Sequence, residues 1–325
     1  MSGRLLDEVL ETAREGKPRE TGLTVASDPP GSLDGGLLEQ VADYVDYAKI
    51  GLSKPLMFEN SRLLERIRRY HDLGIKVMSG GTLVEVAVQK GVLPKVLERL
   101  RAFGFDAVEI SEIAGEMPPE TKRRVADEVS ELSMEYLLEV GSGGRPAPPA
   151  SRVISRVRQA LELKSHRVVL EVPQEREGTG NYGPGGGIQW DTLNEVVGAF
   201  GPPNLIFETQ QKQQLTALIL EFGPAVNLAG LPLDEVLVLE MQRLGLTAET
   251  LGVSPTPQGF EGSPAAKFVY HLIKAEHPID QATLGLRSGL PRRTIQAALG
   301  SLVSGGLVRE VSDLSDLRKH RYTVK

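Results

Sequence analysis

Cysteine is absent from this 325-residue chain, and that absence removes several kinds of chemistry. Without thiols there is no disulfide, no thiolate nucleophile and no sulfur-ligated metal, which is what a cytoplasmic protein is expected to show. Histidine is scarce as well, with five residues in all. His71, His166 and the C-terminal histidines lack the spacing of a metal site and are expected at the surface. No run of eighteen apolar residues occurs, so no membrane-spanning helix is predicted. The opening stretch "MSGRLLDEVLETAREGKPRE" is amphipathic and charged, and lacks the apolar centre of a signal peptide.

With 40% hydrophobic residues, the chain can bury a sizeable core, and its length suggests one large domain and one small one. Charge is unevenly spread. Residues 264–325 carry ten Lys/Arg and five Asp/Glu, a net of +5, which leaves 27 basic and 38 acidic residues before them, a net of −11. An acidic body followed by a basic tail points to two tasks, one of them on a polyanion.

Short apolar runs recur through the body and read as buried strands. They are 22–27, 44–51, 75–79, 106–111, 135–141, 167–172, 204–209 and 225–230. Amphipathic helix patterns such as "SRLLERIRRYHDLG" and "PETKRRVADEVSELS" lie between most of them. Eight strand–helix units in about 250 residues are what a (β/α)8 TIM barrel requires, with an open doubly wound sheet as the competing α/β arrangement.

Polar residues recur at the C-terminal ends of these runs: Asp28, Lys49, Ser79 to Thr82, Glu109 with Ser111, Glu139, Glu171, Glu208 and Asn227. In a barrel these positions meet on one rim, the usual place of the active site. Five carboxylates there (Asp28, Glu109, Glu139, Glu171 and Glu208) could not all stay ionised without cations. Lys49 supplies one, Lys212 and Arg176 two more, and a divalent ion the rest; hard oxygen ligands favour Mg²⁺. The stretch "IKVMSGGTLVE" runs from a strand through Gly80, Gly81 and Thr82 into a helix. Such a turn either presents backbone donors to an anion or connects the two elements tightly.

A set of segments carries a family resemblance: "KIG", "GIKVMSGGTLVE", "GFDAVEISE", "LLEVG", "LIFETQQKQQ", "GPAVNLAGLPLDEVLVLEMQRLGL" and "TAETLG". Their order and spacing over residues 21–252 resemble the phosphosulfolactate synthase family, barrel enzymes of coenzyme M and sulfolactate biosynthesis. The resemblance implies Mg²⁺-dependent addition of sulfite to phosphoenolpyruvate, and so a carbon–sulfur lyase. It further implies Lys49 as a substrate-facing cation, and Asp28, Glu109 and Glu139 as carboxylates on metal or water. Glu171 and Arg176 would line the sixth loop, and Glu208, Lys212 and Asn227 would close the ring. Gly80, Gly81, Thr82 and Ser111 would meet the phosphate or carboxylate of the substrate.

The chain also departs from that family. Pro29 stands where the family has a lysine, "GLSKP" replaces "GWGTS", and Ser142 and Gly143 replace two lysines. The sixth loop is lengthened to "EVPQEREGTG", and Gly230 replaces an asparagine. Each cation lost around a trianionic substrate is expected to remove about 1.5–3 kcal/mol of binding. Lys54 and Arg145 offer cations at shifted positions.

Residues 252–263, rich in Pro, Gly and Ser, read as a linker between a barrel at 1–251 and a unit at 264–325. That unit reads as a helix ending before Pro278, a short helix over 279–290 stopped by Gly289, a helix from Pro291 closed by Gly305, and a β hairpin. It looks like a winged helix domain, and "LPRRTIQAALGSLVSGGLV" is similar to recognition helices of bacterial and archaeal regulators. The resemblance places Arg292, Arg293, Thr294 and Gln296 at the major groove of DNA, and Arg318, Lys319, His320 and Arg321 in a wing on phosphates. A protein-interaction module is the alternative. For the whole chain three readings stand: the lyase, a ligand-sensing transcription regulator on a diverged barrel, or a related enzyme with another substrate. A homo-oligomer is expected, since such barrels and winged helices commonly associate.

Overall fold

The structure, a computed structural model, describes residues 16–112, 115–141, 148–173, 187–209, 211–250, 262–276, 278–305, 307–313 and 316–324. Eight parallel strands close into a barrel in sequential order. They are β1 (Thr24–Ser27), β2 (Tyr47–Ile50), β3 (Lys76–Ser79), β4 (Ala107–Ile110), β5 (Glu135–Val140), β6 (Val168–Glu171), β7 (Leu205–Glu208) and β8 (Leu228–Pro232). Each of the eight expected apolar runs supplies one strand. β1 pairs with both β2 and β8, which removes the free edges that an open sheet would keep.

Around the barrel lie α1 (Gly35–Val41), α2 (Asn60–Asp72), α3 (Gly81–Gln89), α4 (Leu93–Phe103), α5 (Pro119–Glu131), α6 (Ala150–Glu162), α7 (Trp190–Phe200), α8 (Lys212–Phe222) and α9 (Val236–Arg243). Their apolar stripes face the sheet; α6, for example, buries Val153, Val157 and Ala160 at helical spacing. Gly104 ends α4 in the left-handed region, with φ of 96°, where a side chain would be strained.

Strand alternation divides the core into two parts. Outward-facing residues such as Ala48, Val108, Leu138, Leu170 and Phe207 pack beneath the helices. Inward-facing Tyr47, Ala107, Leu137, Val169 and Ile206 form a separate apolar cluster that plugs the barrel. The period of two therefore places Lys49, Glu109, Glu139, Glu171 and Glu208 on the inner face, each two residues beyond a member of that plug.

The C-terminal unit consists of α10 (Pro264–Ala275), β9 (Ile279–Asp280), α11 (Gln281–Ser288), α12 (Arg292–Ser304), β10 (Val308–Asp313) and β11 (Asp316–Val324). Its antiparallel sheet has the order β10–β11–β9. It has its own core, in which Val269 and Ile273 of α10 join Ile295 and Leu299 of α12. Ile279 and Asp280, expected inside a helix, instead pair with Tyr322 and Arg321 of β11. Asp280 then caps α11 by accepting the Thr283 N–H at 2.8 Å, and Gly289 ends that helix with φ of 67°. α10 packs against α8 of the barrel. The linker at 252–263 falls largely outside the described residues. Among the described residues no helix is long and apolar enough to cross a membrane.

Candidate active site

At the C-terminal rim, above the apolar plug, a cavity of about 490 Å³ opens. Lys49, Glu109, Glu139, Glu171 and Glu208 line it together, and Lys54, Gly80, Gly81 and Thr82 form part of its wall. The Lys49 ammonium sits between Glu109 Oε1 at 2.7 Å and Glu208 Oε1 at 2.8 Å. Burial works against its charge, but Glu109 and Glu208 outweigh that and hold the lysine protonated. Burial pushes the Glu109 carboxyl above the usual range, and Lys49 offsets part of that rise. Burial, with Glu109 and Glu208 nearby, pushes Glu139 up to about 8. The layer thus holds more acid than its one ammonium can balance.

A divalent cation would correct that imbalance. Glu109, Glu139 and Glu208 each offer a carboxylate oxygen, and the three oxygens lie within 4.8 Å of one another. An all-oxygen donor set suits a hard ion such as Mg²⁺, so these residues fit the cation expected from the sequence.

Asp28 stands apart from this group. Val25 belongs to the inner plug, and the alternation carries Ser27 to the cavity wall, so Asp28 turns outward beneath the helices. There its Oδ1 accepts hydrogen bonds from Arg66 at 2.6 Å and Tyr70 at 2.8 Å, both from α2. Lys54 donates to the Asp28 carbonyl at 2.6 Å, and its Nζ lies 3.5 Å from Oδ2. The carboxylates close enough to share a cation are therefore Glu109, Glu139 and Glu208, with Glu208 where Asp28 was expected. Sequence reading passed over Arg66; its signal is a charge at the helical spacing of the apolar stripe Leu63, Ile67 and Tyr70 of α2.

The glycine pair has a steric reason. Gly80 has φ of −73°, which any residue tolerates, but a Cβ there would meet Leu52 N at 2.7 Å and Gly51 Cα at 2.8 Å. A Cβ on Gly81 would meet the Ser111 side chain and backbone. The two glycines let the loops after β2, β3 and β4 touch at the rim. The Gly81 N–H at the start of α3 donates to Glu109 Oε2 at 3.0 Å, so this donor orients a site carboxylate.

Comparison with known proteins gives the family of the chain. The sequence model of (2R)-phospho-3-sulfolactate synthase matches residues 12–249. The chain belongs to the phosphosulfolactate synthase family. It is 31% identical over 239 residues to the phosphosulfolactate synthase of Methanocaldococcus jannaschii, covering 72% of this chain and 95% of that one. The Methanothermobacter thermautotrophicus enzyme is 31% identical over 253 residues, covering 75% of this chain and 97% of that one. The Bacillus subtilis enzyme is 29% identical over 245 residues, covering 73% of this chain and 95% of that one. The matched phosphosulfolactate synthase region ends before the C-terminal unit.

The remaining residues singled out from the sequence fall in other places. Ser111 is buried and donates from its hydroxyl to Glu85 of α3. Lys212 opens α8 with its side chain 49% exposed, and its Nζ lies 4.0 Å from Glu235. Asn227 was expected at the rim but precedes β8, so it lies at the opposite end of the barrel. There its Oδ1 accepts the Leu23 N–H at 2.9 Å, and its Nδ2 donates to the Leu205 carbonyl at 2.9 Å. It closes β7, β8 and β1 at their N-terminal ends. Arg176, Ser142, Gly143 and Arg145 lie outside the described residues. The loop after β4 is held by Glu112, which pairs with Lys122 at 2.9 Å and with Arg156 at 2.7 Å. Arg156 also donates to the Gly141 carbonyl at 2.8 Å, tying in the end of β5. In the C-terminal unit Arg292, Arg293, Gln296, His320 and Arg321 are exposed and Thr294 is half-buried; His320 pairs with Glu310 at 2.9 Å. The side chains of Arg318 and Lys319 lie outside the description.

Proposed function

We propose that the barrel catalyses the magnesium-dependent addition of sulfite to phosphoenolpyruvate, giving phosphosulfolactate. The observation that carries this reading is the Lys49–Glu109–Glu139–Glu208 group, set on an apolar floor in a chain of this family. Sulfur attacks C3 of the alkene, the electron pair moves through C2 into the carboxylate as an aci-carboxylate, and C2 then takes up a proton. Lys49, held charged by its two glutamates, stands where that developing charge is stabilised. Glu109 is oriented by the Gly81 N–H and keeps Lys49 in place. Glu109, Glu139 and Glu208 would hold the Mg²⁺, which when bound supplies Lewis-acid polarisation of a carboxylate. The apolar plug below keeps water from reaching the group from the barrel interior.

The C-terminal unit supports a second role. Helix, short strand, two helices and a hairpin follow the order of a winged helix; α12 exposes Arg292, Arg293 and Gln296, and Arg321 of β11 is exposed as well. This face suits the major groove and backbone of duplex DNA, and a chain with both units fits an enzyme with a regulatory tail, or a ligand sensor.

One assay separates the readings. Full-length protein with Mg²⁺, phosphoenolpyruvate and sulfite is expected to consume sulfite, and removal of 253–325 is expected to leave that consumption intact. Truncation, or Arg292→Ala with Arg293→Ala, is expected to abolish salt-sensitive binding to duplex DNA. No sulfite consumption together with ligand-dependent DNA binding would decide for the sensor.

A further inference from the structure

The cavity is electrically two-sided, and the sides come from different networks. On one side the single ammonium of Lys49 is outnumbered by the carboxyl groups of Glu109, Glu139 and Glu208. Lys49 is only 12% exposed and is bracketed within 2.8 Å by two of those carboxylates. The other side has the reverse balance. One carboxylate, Asp28, faces two cations, Arg66 at 2.6 Å and Lys54 at 3.5 Å, a net of +1.

That surplus is delivered to the cavity by Lys54. Asp28 is 2% exposed and Arg66 is 9% exposed. Arg66 is also occupied with the Pro29 and Gly31 carbonyls, away from the opening. Lys54 is the member of the triad that lines the cavity wall, with its side chain 25% exposed. Its ammonium has three donors, and the bond to the Asp28 carbonyl uses one of them.

The backbone supports the same placement. Leu52, two residues earlier, has φ of 55°, a left-handed conformation that costs a non-glycine residue about 1 kcal/mol or more. Its side chain is 67% exposed, so packing of that side chain does not compensate. The turn is held instead by contact of Gly51 and Leu52 with Gly80, and by the tether from Lys54 to Asp28. The result brings Lys54 into the wall of the cavity that also holds the carboxylate group.

We propose that Lys54 is the anion-binding, specificity-determining residue of this site, taking the phosphate of a small phosphorylated acid whose carboxylate lies toward the Lys49 side. This deepens the proposed sulfite addition and rests on it for the identity of the substrate. The class of ligand is set by the two-sided charge: a molecule with two separated anionic ends, one compatible with a hard cation and one with an ammonium.

The test uses the full chain and two readouts, affinity for inorganic phosphate by calorimetry in magnesium chloride, and steady-state sulfite consumption. Lys54→Gln keeps a donor for the Asp28 carbonyl and removes the charge; Lys54→Arg restores the charge. Phosphate is expected to bind the parent protein, to bind Lys54→Gln about tenfold or more weakly, and to recover with Lys54→Arg. In turnover the loss is expected in KM for phosphoenolpyruvate more than in kcat, and not in KM for sulfite. A Lys54→Gln protein with unchanged thermal unfolding that binds phosphate within twofold of the parent would overturn the assignment, as would a parent protein that binds no phosphate. Lys54-dependent phosphate binding without sulfite consumption would uphold Lys54 and reject the proposed reaction. Turnover that is indifferent to Lys54→Gln would do the opposite.

Discussion

Lys49 Nζ and Glu109 Oε1 meet 2.7 Å apart inside the barrel, although the residues lie on β2 and β4 with β3 between them. Glu109 is 2% exposed, so removing its partner leaves a carboxylate that must either take up a proton or stay charged out of water. Lys49→Met is therefore expected to lower turnover by about 10²-fold or more. Urea unfolding is expected to show a stability loss of about 3 kcal/mol, and Lys49→Met combined with Glu109→Gln should recover part of it. Additive losses in that double variant would show that the pair is not coupled.

Divalent-cation binding separates the two acidic networks. Glu139→Gln and Glu208→Gln are each expected to weaken Mg²⁺ or Mn²⁺ binding by about tenfold or more, since each removes one of three close oxygens. Asp28→Asn should leave that affinity within about threefold while lowering thermal stability, because Asp28 serves Arg66 and Tyr70. Calorimetry with the chelator-treated protein decides it: a larger loss from Asp28→Asn than from Glu208→Gln would refute the assignment.

Two glycine-to-alanine changes should move stability in opposite directions. At Gly80 a methyl group would press on the backbone of Gly51 and Leu52, with an expected loss of about 1–3 kcal/mol and a displaced rim. At Gly198, inside α7, nothing lies within 4 Å of an added Cβ, and alanine is expected to add about 0.5–1 kcal/mol. Denaturant midpoints of the two variants check the pair of signs.

Glu221 on α8 gives a pH signature of stability. Burial raises its carboxyl from 4.5 to about 7. Below 4.5 both folded and unfolded chains hold the proton, and the residue has no pH-dependent effect. Between those values the unfolded chain ionises first, so stability falls as pH rises toward 7 and stays low above it. Glu221→Gln is expected to stabilise the protein by about 1–3 kcal/mol at pH near 8 and by almost nothing near 4. Equal gains at both pH values would show that ionisation is not the cause.

Much of this protein is determined by residue pattern alone. The eight apolar runs, the helices between them and the two separate cores follow from hydrophobic period and glycine or proline stops, which are local properties. The rim residues were partly legible for the same reason. Lys49, Glu109, Glu139, Glu171 and Glu208 each lie two positions beyond an inward apolar residue, and the period of two carries them to the same face. The same parity turns Asp28 outward, one position past Ser27. Asn227 was misplaced because its run extends past the strand, which begins at Leu228, so a polar residue of the run fell at the wrong end. Only the tertiary structure decided which charges meet. Arg66 and Tyr70 reach Asp28 from α2, Lys54 joins them from the loop after β2, and Glu208 enters the carboxylate group from β7. Those contacts depend on barrel closure and helix rotation, which bring together groups from distant parts of the chain, and no local pattern encodes a distance between them.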